Sequence, residues 1–214
     1  MWQHPATQRN ARQLLDDGVV VLGPDEGEQA CGETGLGRML EPEVLCEAVI
    51  SHFEAKRLAG RKVVLTAGPT FEAIDPVRGI TNSSSGKMGY ALARACAQAG
   101  AEVVLVSGPV ALPVPYGVTR VGVQSALAMR DAVAASIDDA DVFIGVAAVA
   151  DYRPATPAEH KIKKSGDAMS IALTPNPDIL AEVAARPNPP FCVGFAAESR
   201  DLDTYAEEIG RAHV

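Results

Sequence analysis

Lys62-Val-Val-Leu-Thr-Ala-Gly68 is a run of strand-forming residues that ends in a glycine, and this stretch decides the fold class. Such a run is typical of a buried strand that leads into a tight turn. A polar loop follows as far as Gly86. The spacing of apolar residues over 87–99 then predicts a helix, which Gly100 ends. A strand, a glycine turn and a helix in this order indicate the first unit of an α/β sheet.

The alternation of strands and helices continues downstream. Further strands are predicted over 102–107, 118–123, 141–147 and 191–197, and further helices from Ala126, with Ser125 as the N-cap, and from Pro177. The stretch 141–147 is apolar on both faces, as expected inside a parallel sheet. Residues 161–173 alternate weakly and indicate a hairpin arm. We predict a doubly wound, mostly parallel, Rossmann-like α/β sheet that binds ligands at the carboxyl ends of its strands.

The amino-terminal part has a different pattern and predicts a separate unit. We expect a helix over 7–17, a short buried strand over 19–22, a loop over 23–40 and a helix over 42–53. The charged, pattern-free stretch that follows is typical of a linker. The predicted organisation is therefore a first domain over 1–54, a linker over 55–61 and a larger domain over 62–208.

Composition excludes several classes of protein. The net charge of −8 argues against a nucleic-acid binder, which needs a basic face. The longest apolar run, Phe143 to Ala150, is too short to cross a membrane, and no secretory signal is seen. The four cysteines form no C-x-x-C pair, so a zinc ribbon or a disulfide framework is not indicated. We expect a cytoplasmic protein.

Two stretches after the first strand carry residues suited to chemistry. They are Thr66-Ala-Gly-Pro-Thr-Phe-Glu72 and Thr81-Asn-Ser-Ser-Ser-Gly-Lys-Met-Gly89. A Ser/Gly loop that leads into a helix exposes backbone N–H groups, which bind anions. The alternative is that Ser83, Ser84 and Ser85 only cap the helix. Loop composition does not separate these interpretations.

The two stretches, with Ile74-Asp-Pro-Val-Arg78 between them, closely resemble the ligase half of the bifunctional coenzyme A biosynthesis flavoproteins. Four further blocks agree in order: Gly145-Val-Ala-Ala-Val-Ala-Asp-Tyr-Arg153, Lys161-Ile-Lys-Lys164, Asn176-Pro-Asp-Ile179 and Val193-Gly-Phe-Ala-Ala-Glu198. Upstream, Ala30-Cys-Gly-Glu-Thr-Gly-Leu-Gly-Arg-Met39 is similar to the end of the family's decarboxylase half. The resemblance implies that residues 1–54 are the remnant of a flavodoxin-like, flavin-dependent decarboxylase domain.

The resemblance implies a ligase that joins 4′-phosphopantothenate to cysteine through an acyl cytidylate made from CTP, with Mg²⁺ present. In the full-length protein it also implies FMN-dependent decarboxylation to 4′-phosphopantetheine. The partners it implies are 4′-phosphopantothenate, cysteine and CTP. The family's ligase half is a dimer, so a homo-oligomer is expected.

The resemblance also implies roles for individual residues. The nucleotide-binding positions are Gly145, Val146, Ala147, Asp151, Lys161, Pro177, Asp178, Ile179, Leu180 and Phe195. Asn82 matches an asparagine associated with phosphopantothenate and its acyl cytidylate, and Lys161 is a second catalytic candidate. Arg78 either holds the substrate phosphate or forms an ion pair. Cys31 matches the proton donor of the decarboxylase. Metal ligands are not identified.

The end of the chain departs from the family pattern. The family continues after Tyr205 with a lysine-bearing helix, whereas this sequence reads Ile209-Gly-Arg-Ala-His-Val214. These residues match the translation of a common sequencing adapter, so we expect 209–214 to be an artefact. Because the lysines are missing, we expect residues 1–214 by themselves to bind CTP weakly or not at all. Most of the family's flavin site would lie before Met1, so we also expect no FMN binding and no decarboxylation by residues 1–214.

Two other classes share some of these features. A short-chain NAD(P)-dependent reductase has the same glycine turn, but its Tyr-x-x-x-Lys pair is absent, because Tyr90, Tyr116 and Tyr152 are followed by Arg94, Arg120 and Thr156. A non-catalytic flavin-binding module is suggested by the amino-terminal unit. Titration with CTP, NADPH and FMN separates these classes from a ligase.

Overall fold

The amino-terminal unit, Met1–Glu54, contains two helices and a hairpin. We describe a computed structural model of residues 1–29, 32–164, 166 and 168–195. Helix α1 is Pro5–Asp16, strands β1 (Asp25–Glu28) and β2 (Thr34–Arg38) pair antiparallel, and helix α2 is Pro42–Phe53. The bounds of both predicted helices are confirmed within two residues. Proline at the first turn of each is favourable because its missing N–H has no partner to lose there.

The predicted buried strand over 19–22 is wrong. These residues have no strand conformation, and Val19 and Val20 are 47% and 56% exposed. The hairpin lies instead in the stretch predicted to be a loop. Its strands contain glycine, glutamate and threonine and have no apolar alternation, so backbone pairing alone defines them. The flavin-dependent origin of this unit stays a prediction.

In the described part of the second unit, Ala55–Val214, the core is a five-stranded parallel sheet, which confirms the predicted Rossmann-like α/β fold. No helix or strand is found over 55–61. The strand order is β11-β8-β3-β6-β7. The strands are β3 (Lys62–Ala67), β6 (Glu102–Ser107), β7 (Val118–Gly122), β8 (Val142–Gly145) and β11 (Phe191–Gly194).

Both faces of β3 are buried because helices cover both sides of the sheet. Val63 and Leu65 pack in a cluster with Tyr90 and Ala93 of helix α3 (Lys87–Gln98). Val64 packs on the other face with Met129 and Val133 of helix α4 (Ala126–Ser136). Helix α5 (Ile179–Ala184) adds Ile179 and Val183 to that second cluster. A strand apolar on both faces is what a doubly wound sheet requires.

Two short antiparallel pairs project from the strand ends. Strand β4 (Phe71–Ala73) pairs with β5 (Gly79–Thr81), and β9 (Tyr152–Pro154) pairs with β10 (Leu173–Pro175). The predicted hairpin arm over 161–173 is wrong, because the described residues before Leu173 form no strand. The weak alternation there reflects a charged segment and not a pleated surface.

Smaller differences occur at the ends of three elements. Helix α5 begins at Ile179, not at Pro177, since the Asp178 carboxylate caps it by accepting a hydrogen bond from the Ala181 N–H at 2.9 Å. Strand β8 ends at Gly145, two residues before its predicted end. Strand β11 ends at Gly194, and residues 196 and 197 lie outside the described residues. Among the described residues, no helix has the length and apolar character needed to span a bilayer.

Candidate functional site

A cleft opens at the carboxyl ends of β3, β8 and β11. Strand β6 lies on one side of β3 and β8 on the other, so the direction of strand order reverses between β3 and β8. Open α/β sheets bind ligands in the crevice at this switch point. The cleft has a volume of about 400 Å³. That volume suits a small molecule, so we take this cleft as the candidate site.

Most of the residues predicted to contact a nucleotide line this cleft. They are Gly145, Ala147, Asp151, Pro177, Asp178, Ile179, Leu180 and Phe195. They come from the end of β8, from the start of α5 and from the end of β11. In the part of the chain that the structure describes, Val146, Asn82, Arg78 and Lys161 do not line it. Cys31 lies outside the described residues.

Thr66, the penultimate residue of β3, organises the backbone at the end of β8. Its hydroxyl oxygen accepts hydrogen bonds from the N–H groups of Val146 and Ala147, both at 3.2 Å. Thr66 is only 3% exposed and lines the cleft. Local sequence does not predict this role for Thr66, because the contact joins residues about 80 positions apart. The signal that could have found it is a hydroxyl inside an otherwise apolar strand.

Asn82 lies at the edge of the cleft and holds the loop that follows β8. Its side-chain amide donates to the carbonyl oxygens of Ala148 and Val149, both at 3.1 Å. Val149 lines the cleft. Thr70 supports the same loop, since its hydroxyl accepts a hydrogen bond from the Ala150 N–H at 3.0 Å. Asn82 is therefore next to the candidate site, although its predicted role toward substrate is untested.

Asn176 is a lining residue that the sequence analysis named only as part of a motif. Its side-chain amide donates to the Ala150 carbonyl oxygen at 2.7 Å, and its backbone N–H donates to the Asp151 carbonyl oxygen at 2.7 Å. Its side-chain oxygen accepts from the Arg153 guanidinium at 3.1 Å. These bonds tie β10 to the segment that carries Asp151 and so position that carboxylate.

The charged side chains that line the cleft in the described part of the chain are both acidic. Asp178 caps helix α5, and Asp151 is exposed. No described lysine or arginine lines the cleft. The described residues contain no group of three or more metal-ligating side chains. Mg²⁺ shared between one carboxylate and substrate phosphates needs no such group, and the exposed carboxylate of Asp151 fits that mode.

Arg78 lies at the β4–β5 turn and is engaged within the protein. Its Nε and Nη2 atoms donate to Oδ2 of Asp75, at 3.0 and 2.5 Å. The Arg78 guanidinium lowers the pKa of the Asp75 carboxyl, and hydrogen bonds from backbone N–H groups act in the same direction. Of the two roles considered for Arg78, this geometry agrees with the ion pair. A role toward substrate phosphate stays a prediction, as it does for the exposed Lys161.

Helix α3 begins close to strand β3, and Gly89 permits this. A Cβ atom added at Gly89 would lie 2.5 Å from Cβ of Ala67. Gly86 is the N-cap residue of α3, with φ of 72°, and its N–H donates to Oγ of Ser84 at 3.3 Å. That bond lies in the loop before the helix, and the N-cap of α3 is Gly86 without a side-chain cap bond, so the predicted capping by Ser83, Ser84 or Ser85 is wrong. Anion binding at this helix end stays a prediction.

Three comparisons place the chain among known proteins. Residues 58–212 match the family model of the DNA/pantothenate metabolism flavoprotein C-terminal domain. The coenzyme A biosynthesis bifunctional protein CoaBC of Vibrio cholerae is 56% identical over 209 residues, covering 96% of this chain and 52% of the relative. The Escherichia coli protein of the same name is 50% identical over 213 residues, covering 97% and 52%. The chain thus spans about half the length of the curated relatives it matches.

Solved structures agree with these sequence relatives. The C-terminal domain of a CoaBC protein superposes with a TM-score of 0.66 at 44% identity, covering 74% of this chain and 76% of that one. A Cab2 variant in complex with phosphopantothenate-cysteine superposes with a TM-score of 0.57 at 14% identity, covering 79% and 75%, and shows the fold alone. The resemblance to coenzyme A biosynthesis flavoproteins is confirmed. The chain belongs to the DNA/pantothenate metabolism flavoprotein C-terminal domain family.

Proposed function

We propose that this chain carries the phosphopantothenate–cysteine ligase step of coenzyme A biosynthesis, with CTP as the activating nucleotide. The observation that carries the proposal is the cleft at the switch point, lined by Gly145, Ala147 and the turn before α5 in a chain of this family. Small residues at a strand end allow a ligand to approach the backbone closely. The identity to CoaBC proteins supports the assignment to coenzyme A biosynthesis.

The nucleoside end of CTP suits the described cleft. Phe195 is 50% exposed at the cleft, and its N–H donates to the Gly145 carbonyl oxygen at 3.1 Å, which fixes the backbone beside the ring. An exposed aromatic ring can stack on a base. The backbone groups of 145–147 and 177–180 would form hydrogen bonds with the base and the ribose. We assign these residues to nucleotide binding.

The proposed ligase reaction has two steps. The carboxylate of 4′-phosphopantothenate attacks the α-phosphorus of CTP, the bond to the β-phosphate oxygen breaks, and pyrophosphate leaves. The cysteine amine then attacks the acyl carbon, and CMP leaves as the amide forms and a proton is released. Both steps develop charge on phosphate oxygens, which fixed donors and cations stabilise.

Asn82, Lys161 and Asp151 have distinct proposed roles. Asn82 holds the 148–149 loop through both N–H groups of its side-chain amide, and we place this loop beside the acyl cytidylate. Lys161 supplies positive charge to the phosphates. Asp151 would hold Mg²⁺, which when bound neutralises charge on phosphate oxygens.

The remaining parts of the proposal concern the full-length gene product. We assign it FMN-dependent decarboxylation with Cys31 as proton donor, a homo-oligomeric state and a cytoplasmic location. These assignments depend on the resemblance to bifunctional relatives. A short-chain reductase shares only the glycine turn and the sheet with this chain, and a flavin module only the amino-terminal unit, whereas the relatives named above support neither class.

The experiment that tests the ligase assignment measures pyrophosphate release by the purified full-length gene product. We expect release only when CTP and 4′-phosphopantothenate are both present, and phosphopantothenoylcysteine only when cysteine is added. Parallel titrations with NADPH and FMN serve as controls for the other classes. NADPH binding without CTP-dependent pyrophosphate release would contradict the proposal.

A further inference from the structure

The lysine-bearing segment Lys161-Ile-Lys-Lys164 forms no helix or strand. Within it, both the N–H and the carbonyl oxygen of Ile162 form hydrogen bonds with side chains from another part of the chain. The Ile162 N–H donates to Oδ2 of Asp75 at 3.1 Å, and the Ile162 carbonyl oxygen accepts from Nη2 of Arg78 at 2.6 Å. Both partners belong to the β4–β5 turn. The contacts join residues more than 80 positions apart.

Asp75 is suited to this holding role because it is itself fixed. Its side chain is fully buried. Oδ1 accepts from the N–H groups of Val77 and Arg78, both at 2.9 Å, while Oδ2 accepts from the Arg78 guanidinium and from Ile162. A buried carboxylate with this many donors is stable in its charged form. Oδ2 therefore has a defined position for the Ile162 N–H.

The surroundings of Ile162 show that it is the anchor of the segment. Ile162 is half-buried, whereas Lys161, Lys163 and Lys164 are exposed. A second tie lies nearby, where the Ala158 N–H donates to the Ile74 carbonyl oxygen at 2.8 Å. The same hairpin continues past β5 to Asn82, whose amide reaches the edge of the cleft. One hairpin thus contacts both the lysine segment and the cleft edge.

We propose that Asp75 and Arg78 are positioning residues that clamp the backbone of Ile162 and so hold Lys161 for the phosphates of the nucleotide. This inference rests on the proposed function of Lys161. It adds that the hairpin sets the position of that lysine. Asp75 has no contact with substrate in this role.

Two measurements on the full-length gene product test the clamp. The first is the rate of tryptic cleavage after Lys161, Lys163 and Lys164, which needs no nucleotide. We expect Asp75→Asn and Arg78→Gln each to raise this rate about tenfold, because an opened segment is cleaved in proportion to its open population. The matched control is Asp139→Asn, which removes the carboxylate of an exposed ion pair with Lys62 and is expected to leave the rate unchanged.

The second measurement is a double-mutant cycle on the CTP dissociation constant. Residues that act through one another are non-additive. We expect Asp75→Asn to weaken CTP binding about tenfold when Lys161 is present and less than twofold in the Lys161→Gln background. Arg78→Gln, which leaves the Asp75 carboxylate in place, repeats the cycle if Asp75→Asn fails to fold.

The outcomes separate this inference from the proposed function. Unchanged tryptic cleavage in both variants overturns the clamp, whatever the nucleotide results are. Equal weakening of CTP binding in both backgrounds overturns the positioning of Lys161. If the parent protein binds no CTP, the proposed function fails, and the positioning role fails with it. Faster cleavage would then show only that the clamp orders the segment.

Discussion

The cleft and the β4–β5 turn differ in the groups that they present. In the described part of the chain, the cleft is lined by small, aliphatic and aromatic residues and two acidic side chains, with Thr66 and Asn176 fixing the loops. The turn instead brings Arg78 and the lysine segment together around a buried carboxylate. Backbone groups fixed by hydrogen bonds suit a base and a ribose, whereas lysine side chains suit phosphate. Under the proposed function, the cleft would bind the nucleoside and the lysine segment would compensate charge on the phosphates.

The largest expected effect is that of replacing Asn82, which follows β5 and holds the loop at the edge of the cleft. Asn82→Asp replaces an amide donor with a carboxylate that faces the carbonyl oxygens of Ala148 and Val149. Losing two donors beside a phosphate-bearing intermediate is expected to lower ligase turnover about 100-fold, with CTP binding largely kept. The measurement is cysteine-dependent turnover beside CTP affinity.

The matched control for Asn82 is Asn188→Asp, which makes the same change at an exposed position. It should leave turnover unaltered. Normal turnover in Asn82→Asp would remove Asn82 from the mechanism and break the link between the cleft and the hairpin.

Thr66→Val tests whether the cleft is preorganised. The substitution keeps the shape but removes the acceptor for the N–H groups of Val146 and Ala147. We expect the free energy of unfolding to fall by about 2 kcal/mol, since two half-buried N–H donors lose their partner. Urea denaturation of this variant and of Thr119→Val, an exposed threonine in β7, gives the comparison. An equal loss in both variants would mean that the hydroxyl of Thr66 contributes nothing specific.

Lys161→Gln tests charge compensation. Removing one countercharge at an exposed site is expected to slow CTP- and phosphopantothenate-dependent pyrophosphate release about tenfold. Lys164→Gln removes the same charge three residues further along and serves as the control. If both variants release pyrophosphate at the parent rate, the segment is only a solvated surface.

The smallest expected effect is the contribution of Asp75 to acid sensitivity. Its pKa is lowered in the folded state, chiefly by the Arg78 guanidinium. Stability from this group is therefore complete above the unfolded pKa of about 4 and is lost as pH falls toward the folded pKa. We expect the free energy of unfolding to fall less steeply below pH of about 4 in Asp75→Asn than in the parent. Identical slopes in the two proteins would show that Asp75 is not in a charged pair.

Local pattern was sufficient for most elements of the larger unit. Strand β3 and helices α3 and α4 begin as predicted, and the N-cap Ser125 accepts its bond from the Ala128 N–H. The pattern predicted strands wrongly in two places. Over 19–22 the valines are exposed, and over 161–173 the described residues before Leu173 form no strand. Short apolar or alternating runs lack the length needed to identify a strand.

The sequence by itself determined the family, the strand–helix alternation and the set of residues at strand ends, because these depend on neighbours a few positions apart. Only the tertiary structure decided the strand order that creates the switch point, the bonds from Thr66 to Val146 and Ala147, and the clamp of Asp75 and Arg78 on Ile162. Each of these hydrogen bonds joins residues at least 80 positions apart. Such contacts follow from how the sheet is wound, and no local periodicity encodes them.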